Sequence, residues 1–126
     1  MKYILLCLFA FFCISCQQIV NPPPDTYELL QNFPNPFTDT TVILYGIPFV
    51  GSGATGPSIR VAIYDRFNII QAVLVNTKNH PAGSNFRTVW NGRGYNNQKV
   101  PPGIYSVELQ QSDDKIVLAR CVALKQ

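Results

Sequence analysis

The sequence predicts an all-β domain, a sandwich of six or seven mostly antiparallel strands. Three observations point there. Apolar residues recur at a period of two in several short runs, and no long stretch keeps the 3, 4 and 7 spacing of an amphipathic helix. Ten prolines and eight glycines punctuate 126 residues, which suits short strands and tight turns. Hydrophobic residues make up 47% and charged residues 13%, so the chain has the material for a core and is too apolar for disorder.

Thr41–Ile47 reads as the first core strand, with Ile43, Tyr45 and Ile47 on one face and Val42 and Leu44 on the other. Ser58–Asp65 repeats the alternation with Ile59, Val61 and Ile63. Ile69–Val75 is apolar on both faces, with Ile69, Val73 and Val75 opposite Ile70, Ala72 and Leu74. Asn85–Trp90 groups Phe86, Thr88 and Trp90, and Ile104–Leu109 groups Tyr105, Val107 and Leu109. Lys115–Leu124 closes the chain with Ile116, Leu118, Val122 and Leu124. Between the strands, Asp65-Arg66-Phe67-Asn68 is a short link in which Asn68 can take the left-handed conformation, Ser112-Asp113-Asp114 is a tight polar turn, and Gly51–Pro57 is a glycine-rich loop. Six or seven such strands in about 100 residues fold as two sheets with Greek-key links. Roughly a dozen large inward side chains, at ~1.5–3 kcal/mol each, offset the chain entropy without a metal or a disulfide.

The N-terminus carries an address. Met1-Lys2 precedes an apolar run from Tyr3 to Ile14, shorter than the ~20 residues of a spanning helix, which is the pattern of a secretory signal. Ile14-Ser15-Cys16 resembles the bacterial lipobox, with Cys13 where that motif prefers Leu. The resemblance implies cleavage before Cys16 and acylation of Cys16. Ordinary cleavage nearby would leave Cys16 a thiol able to bridge Cys121 in an oxidising compartment. Asn21-Pro22-Pro23-Pro24-Asp25 favours an extended polyproline segment. The expected organisation is residues 1–15 as signal peptide, 16–26 as lipidated cysteine and Pro-rich tether, and 27–126 as the sandwich. With Lys2 removed, the net charge of +3 falls to about +2, too weak to argue for nucleic acid.

Two motifs resemble a known family. Leu29-Leu30-Gln31-Asn32-Phe33-Pro34-Asn35-Pro36-Phe37 is followed by Thr40-Thr41, and Trp90-Asn91-Gly92-Arg93-Gly94-Tyr95-Asn96-Asn97-Gln98-Lys99-Val100-Pro101-Pro102-Gly103-Ile104-Tyr105 lies further on. Together they resemble the immunoglobulin-like (Ig-like) domain of the flagellar hook-capping type and the similar C-terminal sorting domains of type IX secretion. Tyr64-Asp65 and the finish Val122-Ala123-Leu124-Lys125 fit the same pattern. Asn91 stands where the family has Asp, and Asn97 where it has Gly. The cargo that precedes a sorting domain and the docking region of the hook-capping protein have no counterpart in this sequence. The resemblance implies an Ig-like fold. Within it, Tyr45, Trp90 and Tyr105 are expected in the core, with the Tyr105 hydroxyl bonded to a nearby loop. Pro34 and Pro36 are expected to set an extended approach to the first core strand, and Gly92, Gly94 and Gly103 to serve turns.

Chemistry finds little purchase. His80 is the only histidine, and the carboxylates Asp25, Glu28, Asp39, Asp65, Glu108, Asp113 and Asp114 are scattered, so no catalytic or metal site is expected and no cofactor. No glycine-rich phosphate loop opens a helix. Arg93, Tyr95 and Lys99 form a mildly basic aromatic loop. The expected function is therefore non-enzymatic: a lipid-anchored Ig-like binding or structural module of the bacterial cell envelope, an outer-membrane lipoprotein. Its partners would be the membrane, through the N-terminal lipid, and an envelope protein or the secretion machinery, with no nucleic acid and no small-molecule substrate. A sorting-type domain read by outer-membrane transport machinery and a carbohydrate-binding accessory module are the alternatives. Val42, Leu44 and Val73, apolar at outward positions, are the candidate binding surface.

Overall fold

The computed structural model describes residues 22–51 and 55–126. The signal peptide, Cys16 and the first part of the tether lie outside the described residues.

Seven strands form two antiparallel sheets: β1 (Glu28–Leu29), β2 (Thr41–Ile47), β3 (Ile59–Asp65), β4 (Ile70–Thr77), β5 (Gly83–Trp90), β6 (Gly103–Gln111) and β7 (Val117–Lys125). One sheet runs β1-β2-β5 and the other β4-β3-β6-β7. β1 lies over β7 and β4 beside β5, so the sheets stack as an Ig-like sandwich. The antiparallel pairings place β2–β3, β4–β5 and β6–β7 connections at one end, here the upper, together with the approach to β1. The lower end holds the Gln31–Thr40 segment, the Arg66–Ile69 turn, the Asn91–Pro102 loop and the C-terminus.

The core sits between the sheets. Ile43, Tyr45 and Ile47 of β2 face Ile59, Val61 and Ile63 of β3 and Val107 and Leu109 of β6, all buried. At the lower end Phe37, Trp90 and Tyr105 form an aromatic chain, with centroids 5.3 Å apart for Phe37–Trp90 and 5.2 Å for Trp90–Tyr105. The Trp90 indole N–H donates to the Arg93 carbonyl, and the Tyr105 hydroxyl donates to the Pro101 carbonyl four residues upstream. At the upper end Tyr45 meets buried His80 at 3.0 Å. His80 Nδ1 lies 2.8 Å from the Pro81 carbonyl oxygen, which can only accept, so Nδ1 carries the proton and Nε2 accepts from Tyr45.

Four expectations need correction. Gln31–Thr40 is not an extended approach: the chain bends through Pro34–Pro36, with cis peptide bonds at Phe33-Pro34 and Asn35-Pro36. Buried Thr41 fixes that bend by donating to the Pro34 carbonyl while accepting from Asn32 Nδ2 at 2.8 Å. In β7 Leu118 packs against the core as expected, but beyond it the inward residues are the small Ala119, Cys121 and Ala123, opposite Leu109, Val107 and Tyr105; Val122, Leu124 and Ile116 are exposed. Big partners on β6 leave room only for small ones over Ala119–Ala123, so Val122 and Leu124 turn outward. In β4 two bulges re-phase the alternation, so Val75 joins Ala72 and Leu74 on the core while Val73 and Ile70 stand outside opposite Ala62 and Tyr64. Gly103 is not in a turn but opens β6, after the bend at Pro102, with φ 156°.

Candidate interaction surfaces

The outer face of the three-stranded sheet is built from the residues that alternate away from the core. Val42 and Leu44 of β2 pair with Val89 and Arg87 of β5. On the other side of β2, Leu30 donates its backbone N–H to the Leu44 carbonyl, and Phe33 exchanges two backbone hydrogen bonds with Val42. The result is two cross-strand rows, Leu30–Leu44–Arg87 and Phe33–Val42–Val89. Phe33 is 75% exposed, Leu30 and Val89 are exposed, and Val42 and Leu44 are half-buried beneath them. Five of the six side chains are apolar, and they form one contiguous patch. The described part of Gly51–Pro57 does not cover it: the Pro57 carbonyl accepts from the His80 amide, and Thr55–Pro57 line a cleft with Asn79–Ala82.

Val73 is not part of that patch. It stands on the outer face of the opposite sheet, so the structure brings Val42 and Leu44 together and sets Val73 apart. The upper half of that second face is polar. The carboxylate of Glu108, only 3% exposed, accepts from Arg120 at 2.6 and 3.0 Å and from Gln110 Nε2 at 2.8 Å. Gln110 also donates to the Tyr64 hydroxyl. The lower half is apolar, with Ile104 opposite Leu124 and Val122 one step along.

The sheet edges differ in how they are closed. β7 is clasped by the Gln31–Phe37 segment: Gln31 and Asn35 side-chain amides donate to the Val122 carbonyl, Leu124 N–H donates to Asn35 Oδ1, and Phe37 pairs with Lys125. β4 carries its two bulges and β1 is two residues long. β5 keeps a regular register from Phe86 to Trp90, which leaves it the flattest edge.

The remaining motif residues serve the frame. Trp90 is fully buried, so it offers no face to a ligand; Tyr105 is buried beside it, and Tyr45 is buried at the other end of the same core. Gly92 takes φ 69°, a left-handed turn conformation, while Pro34 and Pro36 lie in the clasp. Asp65 does structural work at the β3–β4 turn, where Oδ1 accepts from the Phe67 and Ile69 amides and Asn68 takes φ 61°. Burial pushes the Cys121 thiol up, against a smaller lowering by a backbone hydrogen bond at Asn32, and both His80 ring nitrogens are engaged elsewhere. Among the described residues no three His, Cys, Asp or Glu side chains gather as metal ligands. Leu30, Phe33 and Val89 belong to the patch although their spacing gave no sign of it; only the pairing across β2 reveals them.

No family model and no curated protein matches this sequence. Among solved structures, the chain is similar to part of dimeric latent PorU from Porphyromonas gingivalis, with 18% identity and a TM-score of 0.56. The match covers 81% of this chain and 9% of PorU. At that identity the likeness is one of fold: an all-β sandwich of the same architecture as one small portion of a much larger protein.

Proposed function

We propose that this protein is a lipid-anchored Ig-like module of the bacterial cell envelope that acts by binding another protein, not by catalysis. The observation that carries the reading is the apolar outer face of the three-stranded sheet, where Leu30, Phe33, Val42, Leu44 and Val89 lie side by side. A soluble monomer rarely leaves such a patch uncovered, because each exposed large apolar side chain forgoes ~1.5–3 kcal/mol of burial. The anchor rests on Ile14-Ser15-Cys16. One acyl chain holds a protein only marginally and several hold it stably, so a fully acylated Cys16 would keep the module at the outer membrane.

Palmitate labelling with membrane fractionation tests the anchor: Cys16→Ala should lose the label and leave the membrane fraction. A variant that fractionates and matures like the parent would remove the lipoprotein reading.

A second reading, a sorting-type domain read by outer-membrane transport machinery, is favoured by the Asn-Pro-Phe and Trp-Asn-Gly motifs and by the shared fold with a portion of PorU. Residues 27–126 fused to a passenger in a bacterium with type IX secretion would then carry the passenger outside the cell. Retention of the passenger would dismiss this reading and leave the first standing.

A further inference from the structure

The upper end of the sandwich combines three features. The first is where the tether ends. The Pro22 carbonyl accepts from Ser84 Oγ at 2.7 Å, and Pro24 packs against Gly46, where a Cβ would lie 2.9 Å from Pro24 Cγ. Pro22–Pro24 is therefore seated on the domain, at the top of β2 and β5, and does not act as a free spacer. The second is length. Five residues, Gln17–Asn21, separate Cys16 from Pro22. Six Cα–Cα steps span about 20 Å at full extension. The third is an exposed apolar loop at that same end. β2 runs upward past Gly46 into Pro48-Phe49-Val50, where Phe49 is 79% and Val50 49% exposed. Ile116, in the β6–β7 turn, is also exposed at this end.

We propose that the Pro48-Phe49-Val50 loop is a second membrane contact, inserting Phe49 and Val50 into the headgroup and acyl boundary of the bilayer that holds the anchor. This rests on the lipid-anchor reading of Cys16. An acyl chain in the bilayer and a tether of about 20 Å keep the upper end against the surface, within the reach of one loop. The charges around this end are mixed, with Lys78 and Lys115 against Asp25, Glu28, Asp113 and Asp114, all exposed. Two lysines against four carboxylates give no pull towards anionic headgroups, so the contact is hydrophobic and should form on zwitterionic lipid. It also orients the molecule: the strands stand off the membrane, and both sheet faces stay open to partners beside the anchor.

The test uses full-length protein incorporated into phosphatidylcholine vesicles with and without bromine-substituted acyl chains. Trp90 is fully buried at the lower end and supplies a constant background. Phe49→Trp places a reporter in the loop, and Tyr95→Trp places one at the exposed lower end. Phe49→Trp emission should shift to the blue on the vesicles and lose intensity with the brominated lipid, while Tyr95→Trp emission should do neither. Palmitate labelling of the same samples reports the anchor separately. If Phe49→Trp is unquenched, the loop proposal is wrong whether or not Cys16 is labelled. If Cys16 is unlabelled yet Phe49→Trp is quenched, the anchor reading fails and the loop contact stands. Equal quenching of both reporters would replace end-on insertion by non-specific adsorption.

Discussion

A methyl group on Gly56 would overlap the His80 carbonyl oxygen, a backbone atom that cannot swing aside. Gly56→Ala should therefore cost ~1–3 kcal/mol or more in urea denaturation, as overpacking does; an unchanged midpoint would mean that the Asn79–Ala82 segment can move. The same corner depends on one hydroxyl. Tyr45→Phe leaves buried His80 Nε2 without its donor, a loss of ~1–3 kcal/mol. Tyr45 also makes stability depend on pH. Burial pushes its phenol above the ordinary value of 10.0, and burial followed by the Asp65 carboxylate does the same to Tyr105. A raised folded pKa means that the unfolded chain loses its proton first. The contribution is intact below about pH 10 and falls as pH climbs through the folded values. The denaturation midpoint should decline above about pH 10, and less steeply in Tyr45→Phe, which has one such group fewer; equal slopes would show that Tyr45 ionises alike in both states. Trp90→Ala should cost ~3–5 kcal/mol, because no smaller side chain fills the space between Phe37 and Tyr105. Trp90 and Tyr45 were legible as inward residues from alternation. The role of His80 was not, because its partner Tyr45 stands far away in sequence and meets it only through the fold.

At the scale of elements, β7 is an outer strand whose far edge is closed by a loop and not by another strand. Asn35 is the hinge of that closure, donating to the Val122 carbonyl at 3.2 Å and accepting from Leu124 N–H at 2.8 Å. Asn35→Ala removes both bonds, at a net ~0.5–1.5 kcal/mol each. Amide exchange at Leu124 and Gln126 should quicken while β3 and β6 stay protected, since the Phe37 pairing is loosened and the central strands are untouched. Uniform exchange across all strands would deny the clasp a separate existence. The strands themselves were readable. β2 begins and ends at Thr41 and Ile47, and β3 starts one residue later than the pattern gives. Period-two runs with both faces distinct announce themselves. β1 was missed because two residues carry no periodicity. The outward turn of β7 and the re-phasing of β4 were missed because they depend on what stands opposite: large β6 side chains in one case, inserted residues in the other.

At the scale of the whole molecule, the candidate binding residues fall on two sides of the sandwich. Val42 and Leu44 belong to the face of β1-β2-β5, and Val73 belongs to the face of β4-β3-β6-β7. A sequence read one strand at a time can mark a residue as outward, but outward from which sheet is decided by strand order, which no local pattern encodes. That separation turns three similar residues into an internal control. If the partner docks on the three-stranded face, Leu44→Lys puts an ammonium in the middle of the Leu30–Leu44–Arg87 row, beside the Arg87 guanidinium, and disfavours an apolar partner twice, by desolvation and by like charge. Val73→Lys makes the same chemical change on the other sheet, near Ala62 and away from the patch. Leu44 is half-buried, so its lysine can carry the ammonium out to water along its own stem, and the fold should survive. Cross-linking in intact cells should therefore lose its product with Leu44→Lys and keep it with Val73→Lys, while both proteins melt cooperatively within a few degrees of the parent. The opposite pattern would move the docking site to the Ile104–Leu124 face. Loss with neither variant would leave the flat β5 edge, Phe86 to Trp90, as the surface on which a partner strand can add.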